Sequence, residues 1–327
     1  MGFVIDLRNP KSNKAMKRIL VLLFLNFSFS IFHTVHAQCP VRNTAFQDGE
    51  KLEYKLYFNW KFIWKTAGSA TMNTQQITYK GQTAFQTDLI TRTEKIVDRW
   101  FCMRDTLRAV YTTEIVPLHY RKGANEGGKY RLNKINYRYE GGQTFLHQYY
   151  RHGDGSVSEA DNQTQECAFD MISMVMRCRS YKASDFTVGQ RVPFLLADAD
   201  RINKETLIYR GIKKFKAENK TTYRCLVFSY LETIRGKEKE VVTFYITDDE
   251  NHLPVRLDLN LRFGTAKAYL KSATGLRNPE TSIEQVIKKI PRIANHDSRD
   301  FQSYNQPSCL YHFTLRRTPS GSCTSGL

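Results

Sequence analysis

Between residues 52 and 61 the side chains alternate without a break, with Leu52, Tyr54, Leu56, Phe58 and Trp60 on one face and Glu53, Lys55, Tyr57, Asn59 and Lys61 on the other. That period of two belongs to a strand with one apolar and one wet face, and a helix cannot reproduce it. A second run repeats it near the end of the chain: Val255, Leu257, Leu259, Leu261 and Phe263 oppose Arg256, Asp258, Asn260 and Arg262. Between the two runs, β-rich stretches fall near residues 66–79, 82–93, 105–112, 117–122, 129–139, 144–151, 204–217, 222–231 and 240–247. Lys80-Gly81, Gly127-Gly128, Gly141-Gly142, Gly153-Asp154-Gly155 and Arg235-Gly236 punctuate them, which predicts successive hairpins. Strands this dense, with hardly any helix between them, exclude a parallel α/β sheet. The expected fold is mainly β, an antiparallel meander forming an open barrel or a sandwich-like sheet.

One segment breaks the pattern. From Cys167 to Tyr181 the residues Cys167, Ala168, Met171, Ile172, Met174, Val175, Met176 and Cys178 are apolar without strand alternation, which predicts a buried linker helix midway through the body. It joins an N-terminal half, 38–165, to a C-terminal half, 183–276. Its three methionines fit ordinary core packing, and a flexible apolar pocket is the alternative. A short C-terminal helix is expected from Ser282 to Ile290, closing a single domain over 38–291. Residues 292–327 are small, polar and basic without periodicity and read as a disordered tail.

The N-terminal region reads as an export signal. Lys17 and Arg18 precede the apolar run Ile19–Leu25, Asn26, Ser28 and Ser30 interrupt its continuation, and Val35-His36-Ala37 forms a small-residue cleavage site. Cleavage after Ala37 is expected, with Met16 as the true start, and no transmembrane span in the mature chain. Gln38 stands where lipidation at Cys39 would want a small residue. The predicted mature body holds Cys39, Cys102, Cys167, Cys178 and Cys225, an odd number without the close spacing of a disulfide framework or a zinc site. On one helix Cys167 and Cys178 would lie roughly 16 Å apart, beyond the ~7 Å reach of a disulfide. Cys39 with Cys102 is one conceivable pair, and buried, inert thiols are the expectation.

The chain carries 49 basic and 32 acidic residues, a net charge of +17, which favours anionic surroundings. Export makes acidic glycans and lipid head groups the natural polyanions and removes nucleic acid from consideration. Basic and aromatic residues interleave from Tyr120 to Arg151, and the candidate ligand-binding set is Arg121, Lys129, Tyr130, Arg131, Lys134, Tyr137, Arg138, Tyr139 and Arg151. Guanidinium forks suit carboxylates and phosphates, while tyrosine faces stack on sugars or cap the arginine stems. No nucleophile elbow, zinc-protease helix or phosphate-binding glycine loop is present, so no catalytic residue, metal or cofactor is expected. His147, His152 and Asp154 are the one neighbourhood from which acid/base chemistry could be built, and the five-residue gap puts the two imidazoles on opposite strand faces. Asp248-Asp249-Glu250-Asn251 has the composition of a hairpin turn rather than of a calcium loop.

The run Phe46-Gln47-Asp48-Gly49-Glu50-Lys51-Leu52-Glu53-Tyr54, followed by Trp60 and by Ala67-Gly68-Ser69-Ala70, resembles the opening of the DUF3108 family of exported bacterial proteins. The likeness continues in Tyr223-Arg224-Cys225-Leu226, Thr247-Asp248-Asp249 and Pro254-Val255-Arg256, and covers most of residues 44–276. It implies a periplasmic or outer-membrane-associated protein of Gram-negative type with an open β-barrel-like fold and an uncharacterised role. The functional expectation is a non-catalytic scaffold for an anionic or amphiphilic envelope ligand: a lipid, a lipopolysaccharide portion or an acidic glycan. The alternatives are a glycan-acting hydrolase or lyase, and a structural partner of an outer-membrane protein.

Overall fold

The computed structural model describes residues 39–284, apart from 61–62, 100, 218–220, 235 and 262–263. The expected signal segment, the tail and all but the start of the expected C-terminal helix lie outside those residues. The chain first runs as an antiparallel meander: β1 (Glu50–Trp60), β2 (Ile63–Tyr79), β3 (Gln82–Thr93), β4 (Met103–Thr112), β5 (Pro117–Glu126), β6 (Lys129–Glu140), β7 (Gln143–Arg151) and β8 (Val157–Thr164), with the one-turn helix α1 (Lys95–Asp98) between β3 and β4. After the two-residue β9 (Ala168–Phe169) and helix α2 (Met171–Cys178), a second meander follows: β10 (Arg191–Asp198), β11 (Arg201–Lys216), β12 (Thr222–Ile234), β13 (Lys237–Thr247), β14 (Pro254–Leu261) and β15 (Gly264–Thr274). β15 pairs antiparallel with β1, which fuses the halves into one sheet from β8 to β9.

The two ends of this sheet meet without a ladder. Instead, inward-facing amides of the first half reach the β10–β11 turn. Asn133 donates to Asp198 Oδ1 at 2.9 Å, Gln148 to the carbonyls of Ala199 and Arg201 at 3.2 and 3.0 Å, and Asn162 to that of Asp200 at 3.2 Å. The turn places Ala199 at φ 53°, a left-handed conformation uncommon for a residue with a side chain, and Gln148 holds its carbonyl. The result is a nearly closed, barrel-like sheet. Gly68 shows why the barrel needs a glycine where β2 bends: a Cβ there would lie 2.1 Å from the Arg92 carbonyl oxygen.

Helix α2 fills the interior. Asp170 caps it, accepting hydrogen bonds from the Ile172 and Ser173 amides at 3.0 and 2.9 Å and from the Ser173 hydroxyl at 2.6 Å. That cap makes the helix shorter than its apolar run predicted. The residues before Asp170 are strand, with Ala168 and Phe169 in parallel register with Leu195 and Leu196. Ile172 and Met176 pack into the main core with Leu52, Tyr111, Tyr120, Ile135 and Leu146. At the expected start of a C-terminal helix, Ile283–Glu284 is instead a short strand, β16, paired with Thr222 and Tyr223 of β12.

Immediately after α2, Arg179 turns inward and is fully buried. Its guanidinium bonds Glu50 in a bidentate pair at 2.5 and 2.8 Å, donates twice to the Asn251 carbonyl at 3.0 and 3.3 Å, and lies 5.3 Å from the centre of the Phe46 ring. Phe46 stacks edge-on against Phe85 and Tyr111. A disulfide between Cys39 and Cys167, with Cα atoms 6.0 Å apart, ties the N-terminal arm to the segment before α2. This corrects the expectation of five inert thiols and the Cys39–Cys102 alternative. The pairing spans 128 residues, and proximity across such a separation leaves no mark in local spacing.

Both cross-links have a measurable effect on stability. Arg179→Met strands a buried carboxylate at Glu50 and should cost about 3–5 kcal/mol in urea unfolding, whereas Arg179→Met with Glu50→Gln should recover much of that loss. Reducing the Cys39–Cys167 bond should lower stability by about 4–5 kcal/mol on the chain-entropy account of a loop this long, read as a shift in the urea midpoint.

Candidate ligand-binding cleft

The basic and aromatic stretch forms β5, β6, β7 and the turns between them, and its alternation divides it between two faces. Arg121 opposes Lys134 and Lys134 opposes Tyr149 across the outer face, while Arg138 opposes Phe145. On that face Arg121 donates to the Tyr130 hydroxyl at 3.3 Å, Lys134 lies 5.3 Å from the Tyr149 ring centre, Arg138 lies 4.2 Å from that of Phe145, and Arg151 lies 5.9 Å from that of Tyr130. Arg138 also pairs with Glu140. Lys129 is exposed at the β5–β6 turn, and Arg131 bonds Glu126 at 2.9 Å.

The remaining two members face inward. Tyr137 is buried in the core, and Tyr139 donates to the Pro117 carbonyl at 2.8 Å. The nine residues therefore do not converge on one concavity. Five of them, Arg121, Tyr130, Lys134, Arg138 and Arg151, share an outer sheet surface where rings and cations partner one another.

The histidines do not meet either. His147 bonds Asp161 at 2.8 Å on the outer face. His152 packs edge-on against Tyr150, whose ring centre is 4.5 Å away and which belongs to the other face of β7. Asp154 accepts from Ser156 within its own turn. Among the described residues no group of three or more His, Cys, Asp or Glu side chains is placed to hold a metal. Asp249 does what a turn residue does: its Oδ1 accepts from Thr247, Asn251 and His252, and its Oδ2 from the Ser282 amide.

The concavity lies elsewhere. α2 is narrow enough that its two faces serve different neighbours. Ile172 and Met176 look into the main core, whereas Met171, Met174, Val175 and Cys178 face the second meander. Across from them stand Phe194, Leu207, Phe228, Tyr230, Phe244 and Ile246. The gap between the two surfaces is a cleft of about 70 Å³ with almost wholly apolar walls. Met171 is 43% exposed at its opening and Met174 is buried inside. Burial pushes the Cys178 thiol up to about 12, so it remains protonated and unreactive.

A carboxylate stands beside the cleft. Glu205 directly opposes Phe194, stands two residues before Leu207 on the same face of β11, and is 3% exposed. It accepts a hydrogen bond from the Thr233 amide at 3.3 Å. Burial, reinforced by the nearby Glu232 charge, outweighs that bond and raises its carboxyl to about 7. Sequence reasoning did not flag Glu205. Nor did it flag β10, which supplies Phe194 and Leu196 to the cleft. The methionine stripe was the one visible sign.

The family described as a protein of unknown function (DUF3108) matches residues 53–271. The chain belongs to the DUF3108 family. No curated protein matches it. Among solved structures it is similar to the beta-barrel-like protein of domain of unknown function DUF1849 from Brucella abortus, with a TM-score of 0.46 and 10% identity over 74% of this chain and 100% of that one. A likeness of that grade says nothing of function.

The Glu205 environment fixes the sign of a pH effect. The native carboxyl keeps its proton up to about pH 7, whereas the unfolded one releases it near its ordinary value of 4.5. Stability contributed at this position is therefore present below about pH 4.5 and is lost as pH rises through 7. Glu205→Gln should stabilise the protein by roughly 1–2 kcal/mol at pH 8 and negligibly at pH 4, as read from urea unfolding at the two pH values.

Proposed function

We propose that this DUF3108 protein is an exported, non-catalytic scaffold of the cell envelope that holds the apolar part of an amphiphile in the cleft between α2 and the second meander. The observation that carries this reading is the wall chemistry. Met171, Met174, Phe194, Leu207, Phe228 and Phe244 surround a space whose lining, among the described residues, includes no charged side chain, and apolar and aromatic side chains are the usual lining of small-molecule sites. By the rule that about 10–15 Å³ of such space admits one water, it takes about five waters or a comparable run of methylenes. The unbranched methionines can turn aside to admit more. Apolar walls cannot read hydroxyl groups, which favours a lipid chain over a glycan.

Export is supported by the basic and apolar run over residues 17–37 and by a disulfide, which persists in oxidising compartments. The ligand's head group would remain outside the cleft, in the field of a strongly basic protein.

Native mass spectrometry of the protein purified from the periplasm, before and after denaturing extraction, tests the reading. A co-purifying apolar mass that vanishes on denaturation is the expected result. Val175→Phe, which fills the cleft from α2, should reduce its occupancy at least ten-fold, equivalent to ~1.4 kcal/mol. A ligand-free native protein that also takes up no added fatty acid would overturn the proposal.

A further inference from the structure

The outer face of the first meander carries a charge pattern that sheets ordinarily avoid. Arg108 on β4 directly opposes Arg121 on β5, and Arg121 directly opposes Lys134 on β6. Three cations therefore stand in one row across three strands, about 5 Å from each strand to the next. Like charges directly opposite one another destabilise a sheet, and the row contains two such contacts in succession.

The neighbours of the row offset that repulsion at one end only. Asp88 takes Arg108 in a bidentate pair at 2.7 and 2.8 Å. Arg121 and Lys134 have rings instead: Arg121 donates to the Tyr130 hydroxyl, and the Lys134 ammonium stands over Tyr149. Among the described residues no carboxylate forms an ion pair with either, whereas Arg104, Arg131 and Arg138 on the same half have Asp98, Glu126 and Glu140. Arg151, exposed two residues beyond Tyr149 on β7, again lies over a ring, that of Tyr130. The surface beside the row is kept low by a glycine. A Cβ at Gly123 would lie 3.0 Å from the Tyr130 hydroxyl oxygen and 3.3 Å from a guanidinium nitrogen of Arg121. Its absence lets Tyr130, 37% exposed, reach across β5 to Arg121.

We propose that the row Arg108–Arg121–Lys134, with Tyr130, Tyr149 and Arg151 beside it, is a binding strip for an acidic glycan, a sugar chain that bears carboxylates. The carboxylates bridge neighbouring cations and relieve their repulsion, because guanidinium and ammonium groups both pair with them. The tyrosines meet the apolar faces of the sugar rings. A linear chain suits the strip because its cations stand in line at regular intervals, and a polymer with one carboxylate per sugar repeats on the same scale. Arg121, Lys134 and Tyr149 are half-buried in the sheet surface rather than raised on loops, which suits a slender chain laid across the strands better than the plane of a bilayer. The strip lies on the outside of β4–β7 and does not require a ligand in the cleft beside α2.

The test is affinity electrophoresis of the full chain through gels containing polygalacturonate, its methyl-esterified neutral form, or polyglutamate. Retardation is expected from polygalacturonate, to weaken with added salt, to be absent with the neutral form, and to exceed that from polyglutamate at equal carboxylate concentration. Arg121→Gln with Lys134→Gln should weaken polygalacturonate binding at least ten-fold, equivalent to ~1.4 kcal/mol. Tyr130→Ala with Tyr149→Ala should weaken it roughly five-fold and leave polyglutamate binding unchanged. Lys213→Gln with Lys216→Gln, which removes the same charge from exposed positions on β11, should leave it within about two-fold. The Arg121/Lys134 variant should also unfold at an equal or higher urea concentration than the native protein at low salt, because two like-charge contacts are gone; if that variant does not fold by circular dichroism, Lys134→Gln alone decides binding and stability. No retardation of the native protein by polygalacturonate at low salt, equal retardation by polyglutamate, unchanged binding after loss of the Arg121 and Lys134 charges, or a lower urea midpoint in the deciding variant would each overturn the proposal.

Discussion

A meander of hairpins has no intrinsic reason to close, because each strand needs only its neighbour. What converts this one into a defined body is the buried contact between Arg179 and Glu50. It joins residues 129 positions apart and, through the Asn251 carbonyl, a third segment 72 positions further on. Removing two charges from water costs several kcal/mol per ion, and the cost is tolerable only where the polar atoms find partners. Here both Glu50 oxygens are used, and the guanidinium nitrogens are divided between Glu50 and Asn251. Asn251 in turn bonds the backbone at Asn278 and Pro279. A hydrophobic trio of the same volume would often be as stable. It would not dictate that the end of α2, the start of β1 and the β13–β14 turn meet at one point.

That fixed point explains why the two faces of α2 differ. With Arg179 anchored, α2 lies with Ile172 and Met176 in the main core, to which both meanders contribute, Tyr111, Tyr120 and Ile135 from the first and Phe215, Tyr223, Val255 and Leu270 from the second. The opposite face of the helix is left to meet β10–β13 across a gap. The seam near the β10–β11 turn is closed with amides rather than apolar residues. Asn133, Gln148 and Asn162 each satisfy groups of the turn that a greasy contact would leave unpaired. Polar closure at the seam, a shared apolar core on one face of α2 and an apolar cleft on its other face go with the same helix placement.

The strands legible in the sequence are those with a clear apolar period, β1 and β14, or a marked turn beside them. Lys80-Gly81 marks the start of β3, which the sequence predicts with its observed limits, 82–93. β8 and β15 were not read. Val157–Thr164 is an edge strand with no fully buried residue, so it carries no apolar period, and Gly264–Thr274 presents small residues where a large one would advertise the core. The run from Val255 to Phe263 promised an apolar face along its length, yet Leu257 and Leu259 are only half-buried and Leu261 is exposed. β14 extends past the layer that covers it, and composition along a strand cannot report where its cover ends. The cleft is legible only as a methionine stripe, because its other wall comes from residues 16 to 75 positions further along the chain, Phe194 to Ile246.

The basic charge changes meaning once it is placed. Read along the sequence, arginine beside tyrosine suggests a site for an anion. In the folded sheet arginines elsewhere in the chain likewise have rings and carboxylates as neighbours: Arg108 bonds Asp88, Arg210 bonds Glu240, Arg224 bonds Asp248, and Arg256 bonds Asp258 while lying within 6 Å of the Phe215, Tyr245 and Tyr269 ring centres. Such pairs belong to the surface and contribute little to stability individually. They also leave none of these arginines gathered with the others in one pocket. The excess positive charge is therefore spread over the surface as a field, while the cleft beside α2 is apolar. An anionic amphiphile satisfies both conditions, its chain suited to the cleft and its head group to the field, whereas a purely polar polyanion would satisfy only the second.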